Sequence, residues 1–311
     1  MSSLIEQAAR RLEQLRQAGV ELPDAGLVQP SAEAAQHPPA VAPVAAVAAE
    51  EAKSKSKQVN LDLDALLAQG YLTPQAGRTQ LADQYRVIKR PLIKNAMGKG
   101  AASLNHGNLI MVTSALAGEG KSFTSLNLAL SIASELDNTV MLVDADVARP
   151  SVMRVLGLPA GPGLLDVLQG TVDVADVMLR TNVDKLTLLP SGTPQGRATE
   201  MLASDSMTKL LDHMAKRYPD RIIIFDSPPL LLTTESRVLA SHMGQIVIVV
   251  HAEKTQQSAV QQALAAIESC PLKMMLLNQA AENAAGSYGY GYGYGYGYGY
   301  GYGNEAPKES A

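Results

Sequence analysis

The chain has 311 residues, a formal net charge of −4 and a single cysteine, Cys270. One cysteine excludes an internal disulfide and a multi-cysteine metal site, and the acidic balance gives no electrostatic reason to expect nucleic-acid binding. No stretch approaches the roughly 18 apolar residues that span a bilayer, and the N-terminus does not resemble a signal peptide, so the sequence predicts a cytoplasmic protein without a membrane span.

The N-terminal part of the sequence predicts an arm. Residues 1–20 carry apolar side chains at spacings of three and four, which is typical of a short amphipathic helix. That helix either docks on a partner or is a weakly ordered segment without one. Residues 21–59 are rich in Ala, Pro, Gln, Ser and Lys and predict a disordered linker, so order is expected to begin near Asn60.

The central part of the sequence predicts an α/β domain over residues 60–285. A helical pattern between Leu81 and Ala96 contains Pro91, where a kink or a break is expected. Short aliphatic runs then alternate with helical patterns. These runs cover residues 108–113, 139–143, 186–190, 221–225, 245–250 and 273–277. Strands of this kind are buried on both faces, so we expect a doubly wound, mostly parallel sheet with helices on both faces.

A phosphate-binding loop is predicted directly after the first of these strands. Residues 114–122 read Ser-Ala-Leu-Ala-Gly-Glu-Gly-Lys-Ser and lead into a helical pattern. In such a loop Lys121 reaches the β and γ phosphates, Ser122 can ligate Mg²⁺, and backbone N–H groups point at phosphate oxygens. The opening glycine of the usual pattern is Ala115 here, which can hold the place if its φ is not positive. The predicted nucleotide-binding residues are Ala117, Gly118, Glu119, Gly120, Lys121, Ser122 and Phe123.

Three acids follow buried runs. Asp144 and Asp146 come at the end of one predicted strand, and Asp226 comes at the end of another. Ligands of open α/β sheets bind at the carboxyl ends of the strands, where these acids are expected. Together with Lys121 and Ser122, they predict a P-loop NTPase-type fold that transfers a phosphoryl group from a Mg-bound nucleoside triphosphate. Spacing alone does not identify the acceptor, and capping of a following helix is an alternative for each acid.

The combination of motifs resembles the bacterial tyrosine kinases of exopolysaccharide and capsule biosynthesis over about residues 80–303. It is most similar to the tyrosine autokinases that form a separate chain beside a chain-length determinant protein. The resemblance implies ATP and Mg²⁺ as cofactors, Asp144 as the group that orients or deprotonates the attacking tyrosine, Lys121 as a catalytic residue, and Ser122, Asp146 and Asp226 as metal ligands. A carboxylate acceptor is chemically sensible because a tyrosine hydroxyl, with a pKa of about 10, is mostly protonated at pH 7.

The resemblance also implies assembly and partners. Family members form a ring through a Glu-x-x-Arg-x-x-Arg helix, to which Asp83, Arg86 and Lys89 correspond here, with only the central arginine identical. The implied partner is a membrane chain-length determinant or activator protein, Wzz-like and present as a separate chain. Such a partner would hold the kinase at the inner membrane as a peripheral protein, although the kinase itself has no membrane span.

The C-terminal segment 286–311 is predicted to be a disordered tail that carries the phosphoacceptors. Strict Tyr-Gly alternation leaves each hydroxyl accessible, and the segment is long enough to reach a neighbouring subunit at about 3.3 Å per residue. Self-association of a low-complexity segment is the alternative explanation of the repeat. The predicted phosphoacceptors are Tyr288, Tyr290, Tyr292, Tyr294, Tyr296, Tyr298, Tyr300 and Tyr302.

Two other functions fit the nucleotide motifs. A positioning ATPase of the MinD and ParA group shares this fold, but it usually carries a lysine five places before the P-loop lysine, where this chain has Leu116. An assembly scaffold for polysaccharide export, in which ATP only locks a ring, is the second alternative.

Overall fold

The structure, a computed structural model, describes residues 57–75, 77–100, 104–217 and 220–281. The predicted N-terminal helix (1–20), most of the predicted linker and the predicted tail (286–311) lie outside the described residues.

The described residues alternate between strands and helices from residue 104 onward, as the sequence predicts. The strands are β1 Lys57–Val59, β2 Leu109–Ser114, β3 Thr139–Asp144, β4 Leu179–Thr181, β5 Leu186–Leu189, β6 Arg221–Asp226, β7 Gln245–His251 and β8 Lys273–Asn278. The helices are α1 Leu63–Ala68, α2 Gln80–Ala96, α3 Lys121–Ala133, α4 Val152–Val155, α5 Leu164–Leu168, α6 Val174–Val177, α7 Ala198–Leu202, α8 Asp205–Arg217, α9 Glu235–Ala240 and α10 Gln257–Ala265.

The strands form one sheet in the order β1-β4-β5-β3-β6-β2-β7-β8. Six neighbouring strands, from β5 to β8, run parallel, while β4 is antiparallel to β5 and β1 is parallel to β4. From the central strand β2 the chain moves to one side through α3 to β3, and it later passes to the other side of β2 at β7. The carboxyl end of β2 is therefore a topological switch point, the place where open α/β sheets bind ligands.

The core has two apolar layers because successive strand residues point to opposite faces of the sheet. On one face Met111 packs in a cluster with Met207 and Leu211 of α8. On the other face Val112 packs in a cluster with Leu128 of α3, and Leu92 of α2 belongs to the same cluster. Helices therefore cover both faces, which confirms the predicted doubly wound α/β fold.

Helix α2 continues through Pro91, so of the expected kink or break the break does not occur. Proline removes the hydrogen bond to the carbonyl four residues earlier, which belongs to Val87. Val87 is 72% exposed, which leaves its turn of the helix open to water.

The sheet begins earlier than the sequence predicts. Strand β1, Lys57–Val59, pairs with β4 at the edge of the sheet, although these three residues fall in the predicted linker 21–59. Both strands have three residues and neither shows a clear alternation of apolar and polar side chains. A segment this short carries too little periodicity to be recognised in the sequence, so the first strand of the sheet was not predicted.

Candidate active site

The phosphate-binding loop connects β2 to α3, and its glycines adopt conformations that other residues avoid. Gly118 has a φ of 83° and Gly120 a φ of 93°. A Cβ atom on Gly120 would also clash with Nδ2 of Asn278, so that side chain would have to move for any other residue to fit. Ala115 is fully buried and is not among the residues with positive φ, so an alanine fits the opening position of the loop.

Lys121 is the first residue of α3 and lies at the carboxyl edge of the sheet. Its Nζ atom is 2.8 Å from Oδ2 of Asp146 and 3.4 Å from Oγ of Ser122. The side chains of Lys121 and Asp146 are 14% and 6% exposed. The ion pair is therefore largely withdrawn from water, where charge-assisted hydrogen bonds are strong.

Asp144 and Asp226 end two neighbouring parallel strands at the same level, since their Cα atoms are partners in the β3–β6 register. The Oδ2 atom of Asp144 accepts the backbone N–H groups of Ser151 at 3.0 Å and Val152 at 2.9 Å. Its Oδ1 atom is buried and has no hydrogen-bond partner among the described residues. One oxygen is thus fixed by the protein, and the other is left for a ligand.

Burial raises the pKa of two carboxyl groups in the site, Asp144 and Asp226. Burial, followed by the charge of Asp226, raises the pKa of Asp144 to about 7 against the opposing effect of the Val152 and Ser151 amides. Burial also raises the pKa of Asp226, although Lys121 and the hydroxyl of Ser125 act in the opposite direction. A neighbouring cation or a substrate proton would relieve this repulsion between carboxylates.

A chain of hydroxyl groups links the phosphate loop to the acids. Ser151 Oγ donates to Ser122 Oγ at 2.9 Å and lies 3.5 Å from Oδ2 of Asp226. Ser125 Oγ donates to Oδ1 of Asp226 at 3.0 Å. Sequence reasoning missed Ser151, because no motif distinguishes it from any other serine that follows a strand.

The oxygen donors in the site suit Mg²⁺. Ser122, Asp144, Asp146 and Asp226 offer hydroxyl and carboxylate oxygens, and the partnerless oxygen of Asp144 is what a site prepared for a cation or a proton contains. Within the described residues no group of three His, Cys, Asp or Glu side chains could hold a metal ion by themselves. Mg²⁺ is usually held by one or two carboxylates together with substrate phosphates.

The remaining predicted loop residues differ in what their side chains do. Ala117 and Phe123 flank the glycine-rich segment, and the Phe123 ring contacts Tyr71 with ring centroids 5.0 Å apart. Glu119 is only 3% exposed, and its side chain bonds to protein groups. Asn278, at the end of β8, donates its Nδ2–H to the backbone oxygen of Glu119 at 2.9 Å. Only the backbone of Glu119 therefore remains for phosphate binding.

The three residues predicted for a subunit interface do not share one surface. Asp83 and Arg86 form an ion pair on α2, with side chains 62% and 46% exposed. Lys89 is 4% exposed, its Nζ atom lies 2.7 Å from Oε1 of Glu135, and it also donates to the backbone oxygen of Ser131. The ammonium group of Lys89 therefore joins α2 to the end of α3 within the protomer. Its assignment to an intersubunit surface stays a prediction, which this burial disfavours.

The site thus brings together Lys121, Ser122, Asp144, Asp146 and Asp226, as the sequence predicts, and leaves Asp83 and Arg86 on the surface of α2. The eight predicted phosphoacceptors, Tyr288 to Tyr302, lie outside the described residues. Within the part of the chain that the structure describes, no helix has the length and apolarity needed to cross a membrane.

Comparison with known proteins identifies the family. The AAA domain family matches residues 107–279, which include the phosphate loop and all three acids. The tyrosine-protein kinase CpsD of Streptococcus agalactiae is 35% identical over 187 residues, which cover 58% of this chain and 80% of that protein. The chain belongs to the AAA domain family and, within it, to the bacterial tyrosine-protein kinases. The resemblance inferred from the motifs is thereby confirmed.

Other tyrosine-protein kinases match to different extents. YwqD of Bacillus subtilis is 29% identical over 210 residues, with 67% of this chain and 85% of that protein covered. Ptk of Acinetobacter johnsonii is 32% identical over 188 residues, and the alignment covers 60% of this chain but only 25% of that protein. This kinase chain therefore matches one quarter of the longer relative and most of the shorter ones.

Solved structures of kinase domains have the same fold. The VpsO kinase domain is 26% identical, with a TM-score of 0.52 over 65% of this chain and 100% of that one. The kinase domain of the Escherichia coli tyrosine kinase ETK is 22% identical, with a TM-score of 0.55 over 73% of this chain and 98% of that one. At this level of identity the second likeness shows the fold alone.

Proposed function

We propose that this chain is an ATP- and Mg²⁺-dependent tyrosine autokinase that phosphorylates the tyrosines between Tyr288 and Tyr302. One observation carries the proposal. A buried carboxylate oxygen, Oδ1 of Asp144, has no partner among the described residues and lies on the strand next to Asp226, at the edge of the sheet that holds the phosphate loop. An acceptor for the proton of an attacking hydroxyl is needed at that place.

Each residue has a proposed task in the transfer. The loop amides and Lys121 bind the nucleotide phosphates, and Ser122 with Asp146 and Asp226 would hold Mg²⁺, which neutralises charge that develops on the phosphate oxygens. Asp144 accepts the phenolic proton as the tyrosine oxygen bonds to the γ phosphorus. The bond from that phosphorus to the bridging oxygen breaks, and ADP leaves.

Phosphorylation in trans would follow from assembly. Asp83 and Arg86 are exposed on α2, and Arg90, one turn further along, is exposed as well. We propose this surface as a ring contact in place of the set that included Lys89. Each phosphate adds about −1.5 to −2 charge, so phosphorylation of eight tyrosines would add about −12 to −16 and should push neighbouring tails apart.

The place of the kinase in the cell is part of the same proposal. Relatives such as CpsD and YwqD are matched over most of their length by this chain. We propose that a membrane chain-length determinant protein, on a separate chain, recruits and activates the kinase at the inner membrane. Through its phosphorylation state the kinase would then regulate exopolysaccharide polymerisation and export.

An ATP-locked scaffold remains a second candidate, because nucleotide binding needs only the phosphate loop. A positioning ATPase of the MinD and ParA group is disfavoured by Leu116, which is partly exposed where that group usually carries a lysine. A scaffold that only binds ATP does not require the buried proton acceptor at Asp144, whereas an ATPase could use the same carboxylate to activate water.

The deciding experiment incubates the full chain with Mg·ATP and maps phosphotyrosine by mass spectrometry. Lys121→Met and Asp144→Ala should each lose tail phosphorylation, whereas a variant with all eight tail tyrosines changed to Phe should keep ATP binding. Tail phosphotyrosine persisting in both site variants would refute the assigned site. Unmodified tyrosines in an ATP-binding wild type would favour the scaffold.

A further inference from the structure

Glu119 stands inside the phosphate loop with its carboxylate turned into the protein. The residue is 3% exposed. Its Oε2 atom accepts the backbone N–H of Leu116 at 2.6 Å, and its Oε1 atom accepts the hydroxyl of Thr255. The side chain therefore closes the loop on itself and joins it to another part of the chain.

That other part is the turn that follows β7. Thr255 Oγ1 accepts the backbone N–H of His251, the last residue of β7, at 3.3 Å, and the Thr255 N–H donates to the His251 oxygen at 3.1 Å. The hydroxyl is thus oriented by the backbone of its own turn before it reaches Glu119. Asn278, at the end of β8, adds a separate contact to the backbone oxygen of Glu119 at 2.9 Å.

A carboxylate is an unexpected group in this place. The loop receives a polyanion, so a buried negative charge within it should oppose phosphate binding. Nothing in the G-x-x-x-x-G-K-[ST] pattern requires an acid at this position. The carboxylate must therefore stabilise the site in a way that outweighs its repulsion of phosphate. Its two hydrogen bonds, to the Leu116 amide and the Thr255 hydroxyl, stabilise the shape of the loop.

We propose that Glu119 is a positioning residue, which holds the phosphate loop in its binding shape by joining the Leu116 amide to the Thr255 hydroxyl. Nucleotide affinity then depends on the turn after β7 as well as on the loop. The inference rests on the proposed function only in that the bound ligand is a nucleotide.

Two explanations of Glu119 predict opposite changes in nucleotide affinity when the residue is replaced. If the side chain mattered only through its charge, Glu119→Ala and Glu119→Gln would both tighten nucleotide binding. If it positions the loop, Glu119→Ala should weaken binding about tenfold, which corresponds to roughly one hydrogen bond to a charged group. Glu119→Gln should lose less, because its oxygen can still accept from Leu116 while its amide donates to Thr255.

Thr255 tests the same contact from the other side. Thr255→Val removes the hydroxyl and leaves one oxygen of Glu119 without a donor, so binding should weaken about three- to tenfold. Thr255→Ser keeps the hydroxyl and should restore affinity. Because the two residues act through one hydrogen bond, the double variant Glu119→Ala/Thr255→Val should bind about as weakly as Glu119→Ala alone.

The measurement is titration calorimetry of Mg·ADP with the full chain, beside thermal unfolding of each variant without nucleotide. Additive losses in the double variant, or an unchanged affinity in Glu119→Ala, would overturn the proposal. With the kinase assay, KM for ATP should rise in Thr255→Val while kcat changes less, and an effect on kcat alone would also contradict it. A wild type that binds Mg·ADP without phosphorylating tyrosine would refute the proposed function and leave this inference standing.

Discussion

Lys121 Nζ lies 2.8 Å from Oδ2 of Asp146, so the lysine that is proposed to hold phosphates is paired with a carboxylate of its own protein. Phosphate oxygens must compete with that carboxylate for the same ammonium group. Asp146 is also proposed as a metal ligand. Its two roles predict opposite effects of one substitution, depending on whether Mg²⁺ is present.

We expect Asp146→Asn to bind ADP more tightly without Mg²⁺ and to be a poorer kinase with it. Loss of one charge-assisted hydrogen bond to Lys121 should raise Mg-free affinity by up to about tenfold. Loss of a metal contact should lower the rate with Mg·ATP by at least about tenfold. Calorimetry with ADP in EDTA and a phosphotyrosine rate assay measure the two effects.

Asp184→Asn is the matched control, since it removes the same charge from an exposed position just before β5, at the opposite edge of the sheet. Asp184→Asn should change neither the Mg-free affinity for ADP nor the kinase rate with Mg·ATP by more than about twofold. Weaker Mg-free ADP binding by Asp146→Asn would contradict the competition between phosphate and Asp146.

The raised pKa of Asp144 predicts how stability changes with pH. An aspartate whose pKa rises from 3.8 to about 7 on folding binds more protons in the native state between those values. The free energy of unfolding therefore falls as pH rises from about 4 to 7, and the loss is complete above about pH 7. Asp144→Asn, which cannot ionise, should reduce this slope. At pH 8 the variant should unfold at a higher urea concentration than wild type.

Urea denaturation at half-unit steps from pH 4.5 to 8, without Mg²⁺ or nucleotide, measures the slope. Burial raises the pKa of Asp226 as well, so part of the slope should remain in the variant. Parallel curves for wild type and Asp144→Asn would show that Asp144 ionises in the native protein as it does in the unfolded chain.

Lys89 is expected to stabilise the protomer, in contrast to its neighbour Arg86. Lys89→Met leaves the Ser131 carbonyl and the Glu135 carboxylate without their cation, so the free energy of unfolding should fall by about 1–3 kcal/mol. Arg86→Met breaks only an exposed ion pair with Asp83 and should change it by about 0.5 kcal/mol or less.

Light scattering measures whether Arg86 and Lys89 also contribute to contacts between subunits. If α2 forms the ring contact, Arg86→Met should lower the mass of the assembly at a concentration where Lys89→Met, while still folded, does not. An equal loss of mass with both substitutions would return Lys89 to the interface.

The sequence predicted the elements that are long and buried, and it failed where placement depends on distant contacts. Asp144 and Asp226 were predictable because each ends a run of aliphatic residues, and a parallel sheet brings such ends together. No local pattern reveals Ser151, whose bond to Ser122 joins residues 29 positions apart. Strand β1 was missed because it has only three residues and its partner lies more than a hundred residues away.

The burial of Lys89 has a signal in the helical spacing of α2. Lys89 stands four residues after Tyr85 and three before Leu92, and both of these are buried. Residues at this spacing share one face of a helix, so the sequence already placed the lysine on the core side.

The opening position of the phosphate loop gives the last prediction. Ala115 is fully buried, belongs to the apolar cluster below the loop and does not have positive φ, so a glycine would gain nothing there. Ala115→Gly should lower the free energy of unfolding by about 1 kcal/mol, through lost burial and a more flexible unfolded chain, and leave the affinity for Mg·ADP within about twofold.

Gly120→Ala is the opposite change in the same loop. A methyl group at Gly120 clashes with Nδ2 of Asn278, and the φ of 93° is strained for alanine. Affinity for Mg·ADP should fall at least about tenfold, because the amides that face phosphate must move. Calorimetry measures the affinity of both variants for Mg·ADP. Tighter binding by Ala115→Gly would mean that alanine impairs the loop. A loss of affinity confined to Gly120→Ala would show that the loop requires glycine at position 120 but not at position 115.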